Sequence, residues 1–97
     1  MYSSGVWVVK KGHEEEFARS WQASADQLAL EFSGVTFRLL RDVSEPTRFV
    51  AFSGPWRNIE QLTTARSRPP FQELLDTARE ITDSGEVFEF ELAAEVS

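Results

Sequence analysis

Residues 47–56 read TRFVAFSGPW, from Thr47 to Trp56, and their reading decides the fold. Side chains alternate along a strand, so Phe49, Ala51 and Ser53 share one face while Val50 and Phe52 share the other. Neither face is polar enough for water, which predicts a strand covered on both sides in the middle of a sheet. Gly54-Pro55 ends the run, because proline cannot donate to a ladder, and Trp56 follows the break.

Only one other stretch has this two-faced apolar character: Gly5–Lys10, GVWVVK, near the start of the chain. Between them, residues 13–32 read as a helix. Phe17, Trp21, Leu28 and Phe32 fall on one stripe with Ala25 and Ala29. Glu14, Glu15 and Glu16 occupy its first turn, where the helix dipole favours each by ~0.3–1 kcal/mol. Ser33-Gly34 stops it. Residues 35–43 alternate, with Val35, Phe37 and Leu39 on one face and Thr36, Arg38 and Asp42 on the other, and Ser44-Glu45-Pro46 turns the chain into the opening stretch.

After Trp56, Asn58 and Gln61 stand at capping-box spacing and start a short helix over 59–66. Pro69-Pro70 breaks it and opens a helix over 70–82, in which Phe71, Leu74, Leu75, Ala78 and Ile81 form a stripe. Asp83-Ser84-Gly85 reads as a turn. Residues 87–96 read as a last strand, with Phe88, Phe90 and Leu92 opposite Glu89 and Glu91.

The order is β-α-β-β-α-β, the ferredoxin-like α+β arrangement. Its antiparallel sheet has the order 4-1-3-2, so the first and third strands are central, where the two-faced runs stand. The helices cover one sheet face and no element remains for the other. A monomer would leave an apolar patch open. The expectation is therefore a homodimer whose two sheets pack face to face, a dimeric α+β barrel.

Composition narrows the function classes. Ninety-seven residues make one domain, 1–97, and 41% hydrophobic content can build a core. The net charge of −6 disfavours nucleic acid and an anionic membrane surface. With no cysteine there is no disulfide, thiol chemistry or thiolate metal site, which suits the cytoplasm. No apolar run approaches a membrane span. At the N-terminus the apolar part precedes the lysines, the reverse of a secretory signal. Tyr2, the only tyrosine, is expected to fray with that terminus.

Four stretches together resemble the antibiotic biosynthesis monooxygenase (ABM) family of dimeric barrels: VVKKGHEEEF (8–17), RDVSEPTRFV (41–50), PWRNIEQL (55–62) and RPPFQELL (68–75). They span nearly the whole chain, which the resemblance makes a single ABM-like domain. Members include oxygenases of aromatic polyketides that need neither metal nor flavin, haem-degrading enzymes, and small dimers without an established activity. The haem-degrading branch carries an Asn on the first strand, a Trp after the third and a His in the last helix. Trp56 matches the Trp, but the first strand has no Asn and residues 70–82 no His, so haem degradation is disfavoured. The resemblance implies a planar hydrophobic or aromatic ligand between sheet and helices, with no cofactor and no metal.

Trp56 is the foremost site candidate, able to stack a ring, with Arg38 to orient a phenolate or carboxylate. Phe17, Trp21, Phe52, Phe71 and Leu75 are the expected pocket walls. Arg48 is expected opposite Arg38 in surface ion pairs with Asp42 and Glu45. Arg66 and Arg68 flank the proline break, where they are expected to serve solubility, with the gating of a pocket by that segment as the alternative. His13, the lone histidine, sits among glutamates at a solvated helix start and has no partners for a metal. As an enzyme the protein would be a cofactor-independent monooxygenase of a phenolic or polyketide-like substrate. The alternatives are a non-enzymatic dimer that binds a small molecule or protein, and an isomerase or lyase on the same barrel.

Overall fold

The computed structural model describes residues 1–97. Its elements run β1 (Tyr2–Val9), α1 (Glu14–Glu31), β2 (Thr36–Arg41), β3 (Arg48–Gly54), α2 (Ile59–Ser67), α3 (Pro69–Ile81) and β4 (Thr82–Phe90). The strands form one antiparallel sheet in the order β2-β3-β1-β4, so the two-faced apolar strands are central. This is the ferredoxin-like α+β fold.

Register assigns the faces. Ser3↔Ser53, Gly5↔Ala51 and Trp7↔Phe49 pair on one side, continued by Phe37↔Ser53 and Leu39↔Ala51. All three helices pack there. Trp7, Val9 and Phe49 join Phe17 of α1 with Ala78 and Ile81 of α3 in one core cluster, and Phe17 is fully buried, worth ~1.5–3 kcal/mol. A second cluster gathers Leu28, Phe32, Trp56, Leu62 and Ala65. On the other side stand Val6↔Val50, Ser4↔Phe52, Arg38↔Phe52 and Leu40↔Val50, with Phe88 and Phe90 of β4. No element of the chain covers this side, and Leu40, Phe52, Phe88 and Phe90 are exposed on it.

Three boundaries differ from the sequence reading. First, β4 begins at Thr82, directly from the end of α3, so Asp83-Ser84-Gly85 is strand and not turn. Gly85 is small because Trp7 lies against it, not because the chain reverses there. Second, β4 stops at Phe90, level with Tyr2 at the start of its partner. Residues 91–97 leave the sheet, and Leu92 and Val96 are exposed rather than paired. Third, β1 begins at Tyr2. Far from fraying, this end is pinned: Trp56 N–H donates to Met1 O at 2.7 Å, and the Tyr2 ring packs on Gly54. Gly54 has φ +150°, and a Cβ there would lie 2.4 Å from Tyr2 Cδ2. Only glycine serves both demands, which explains the Gly before Pro-Trp.

The β2–β3 hairpin is held by Asp42, whose Oδ1 accepts from the backbone N–H of Ser44 (2.8 Å) and Glu45 (3.1 Å). Those bonds, aided by Arg48 Nη1 at 3.4 Å from Oδ2, hold its carboxyl below the usual carboxylate range. Arg48 pairs in register with Val8, not with Arg38. At the start of α1, backbone N–H groups, first its own and then that of Gly12, lower the Glu14 carboxyl in the same way.

Candidate functional site

The two core clusters do not meet. Between them lies a partly open cavity of about 80 Å³, with the sheet below and the helices above. Its origin is a set of small side chains. Gly5 and Ala51, paired across β1 and β3, leave the floor low, and Ser24 and Ala25 of α1 with Ala65 of α2 leave the roof high. Thirteen of its eighteen lining residues are hydrophobic.

Trp56 forms part of the wall. It is buried, its Nε1–H donates to Ser53 Oγ at 2.9 Å, and Phe32 and Phe37 meet it edge-on at 5.6 and 5.8 Å. Its donor is therefore committed to the protein, and what it offers a ligand is apolar ring surface. Trp21 and Phe71 also line the cavity. Trp21, Ala25 and Phe37 are shared with a broad groove of about 420 Å³ between α1 and β2. Phe52 borders the cavity, although its register with Ser4 and Arg38 turns its side chain to the uncovered side.

The remaining expected residues stand elsewhere. Phe17 lies in the neighbouring core cluster, 5.9 Å from the Trp7 ring and 5.3 Å from that of Phe49, and Leu75 packs on the same cluster. Arg38 points away from the cavity, because it alternates with Phe37, which lines it. His13 is exposed at the start of α1, with Nδ1 3.0 Å from Glu16 Oε1.

The arginine at the cavity is Arg66 of α2, the one charged residue in the lining. Its Nη2 donates to Ser3 Oγ at 3.0 Å and its Nη1 to Glu89 Oε1 at 2.8 Å. Trp7 is the second polar contributor to the lining. Its Nε1 lies over Gly5, 2.8 Å from where a Cβ would stand, and this N–H has no partner within the chain. No periodicity flags either residue: Trp7 reads as core, and Arg66 as the end of a polar helix. No three or more His, Asp or Glu side chains gather into a metal ligand set.

A four-stranded antiparallel sheet with helices packed on one face is a fold that this chain shares with solved structures of antibiotic biosynthesis monooxygenases. The chain matches an alanine-substituted form of SnoaB, a cofactor-independent oxygenase from Streptomyces nogalater, at 20% identity and TM-score 0.83, over 98% of this chain and 94% of that one. A candidate antibiotic biosynthesis monooxygenase from Nitrosomonas europaea matches at 21% identity and TM-score 0.76, over 93% and 98%. Another, from Bacteroides thetaiotaomicron, matches at 9% identity and TM-score 0.80, over 97% and 90%. These likenesses are of fold. No family model matches the sequence, and no curated protein matches it.

Proposed function

We propose that this protein is an ABM-type, cofactor-independent monooxygenase of a planar aromatic molecule. The carrying observation is the apolar cavity walled by Trp56, Trp21 and Phe71, in a fold shared with a named cofactor-independent oxygenase. An electron-rich substrate anion adds to O2 at carbon and gives a substrate hydroperoxide. Loss of water leaves a carbonyl, so a CH2 carbon and O2 become C=O and H2O. The protein supplies a dry apolar space, ring positioning and a cation for the anion. Oxygen uptake tests this, with single-ring electron-rich substrates whose enol or phenol ionises near neutral pH and with an anthrone-type molecule as the larger comparison. Uptake that is absent for every such substrate removes the oxygenase reading.

The working form in this reading is a homodimer. A second copy packs its sheet on the uncovered side, over Val50, Phe52, Leu40, Phe88 and Phe90. One observation favours a second reading, a ligand-binding dimer without catalysis: no carboxylate, imidazole or phenol lines the cavity to act as a base.

A further inference from the structure

The lining of the cavity specifies more of its ligand than its shape class. We infer that it takes one aromatic ring bearing an oxygen acid already ionised at neutral pH, with that anion on Arg66 and Ser3 and a second ligand oxygen on Trp7 Nε1–H. This rests on the reading of the cavity as the ligand site.

Size sets the ring count. At about 80 Å³, with Trp21 in place, the space is below the ~150 Å³ apolar cavity that admits one benzene, so it seats one ring with modest relaxation, and further fused rings stand outside it. Charge sets the anion. Arg66 is the single formal charge in the lining, and two of its five N–H groups are used, which leaves others for a ligand. The missing base sets the acidity. A simple phenol ionises near pH ~10 and would need a proton acceptor in the cavity. None lines it, so the ligand must lose its proton in water, as a carboxylic acid or an enol or phenol acidified by conjugation does. Trp7 sets the second oxygen. It is more than nine-tenths buried, lines the cavity, and carries an unpartnered donor. That N–H is not sealed from solvent, so a ligand oxygen can take the place of water on it.

Glu89 tunes the site. It accepts from Arg66 without lining the cavity, so it competes with a ligand anion for the guanidinium.

para-Nitrophenol is the test probe, because it titrates near neutrality and its anion is coloured. Calorimetry should show binding, and the bound probe's pKa should fall, since a site that prefers the anion draws the proton off. Arg66→Gln should weaken binding about tenfold and abolish the pKa shift. Arg66→Lys should retain the shift, and serves if the glutamine variant does not fold. Glu89→Gln should tighten binding. para-Nitrotoluene, near in shape but neutral, should bind indifferently to all three changes. Equal response of both probes to Arg66→Gln, an unshifted or raised pKa, tighter binding of an anthracene carboxylate, or no binding of para-nitrophenol would each overturn the inference. The probe is not oxidised, so absent oxygen uptake with intact binding removes the oxygenase and leaves the ligand class standing.

Discussion

Gly85 lies directly against the indole of Trp7: a Cβ built on Gly85 would fall 2.4 Å from Cε3 and Cζ3 of that ring. The pair is in register across β1 and β4, on the helix-facing side. An added methyl must displace a buried ring that also touches Phe17. Gly85→Ala should therefore destabilise the fold by ~1–3 kcal/mol. Urea denaturation should show a lower midpoint. In a double-mutant cycle with Trp7→Leu the cost should shrink, because the smaller side chain vacates the space.

Ser53 and Trp56 make a second testable pair. Ser53→Ala leaves the buried Trp56 Nε1–H without its acceptor, at a cost of ~1–3 kcal/mol. Trp56→Phe removes donor and part of the ring together, and combined with Ser53→Ala it should cost less than the sum. Chemical denaturation of the four chains checks this.

Asp42 predicts a pH dependence. Its carboxyl is held below the ordinary value by the Ser44 and Glu45 N–H groups and by Arg48. A depressed folded-state pKa contributes stability in full above the ordinary Asp value of ~3.9, and that contribution is lost as pH falls through the folded value. Stability should drop between about pH 4 and lower pH. Asp42→Asn keeps an acceptor for the turn but removes the charge, and should flatten this part of the profile. Denaturation midpoints measured across the acid range decide it.

The uncovered side of the sheet makes the oligomer testable. Val50→Glu and Phe52→Glu place a carboxylate on the central strand of that side, which the proposed sheet-on-sheet dimer requires to be dry. Equilibrium sedimentation should give two chains for the native protein and one for the variants. A native species of single-chain mass at micromolar concentration would remove the dimer.

Ala51→Val addresses the cavity. Its side chain faces the void, so two added methyls fill space rather than displace neighbours. Stability should change by less than ~1.5 kcal/mol. Binding of para-nitrophenol should weaken severalfold by calorimetry.

The residues disclosed the element order and the two central strands, and Asn58 does accept from Gln61 N–H at 2.9 Å as its spacing implied. They misplaced β4 because Gly85, read locally, looks like a turn glycine. Its reason is a ring across the ladder, which no local pattern contains. At the cavity, Trp21 and Phe71 were legible as large aromatics on helical stripes, and Trp56 was chosen by resemblance rather than by any stripe. Arg38 was chosen for its chemistry, yet strand alternation already set it on the face opposite Phe37. Trp7 stayed hidden behind a core reading, and Arg66 was noted only for its place beside the proline break, not for the cavity it reaches.

By itself, the order of amino acids determined which segments become strands and helices and which strands lie innermost. Those outcomes depend on side-chain alternation, helical spacing and proline, all acting over a few neighbours. Only the tertiary structure decided where the protein is hollow and which cation reaches the hollow. The void exists because Gly5, Ala51, Ala25 and Ala65, small residues from four separate elements, converge on one point. Arg66 meets Ser3 and Glu89 across sequence gaps of 63 and 23 residues, a closeness set by how α2 lies over β1 and β4 and by nothing adjacent in the chain.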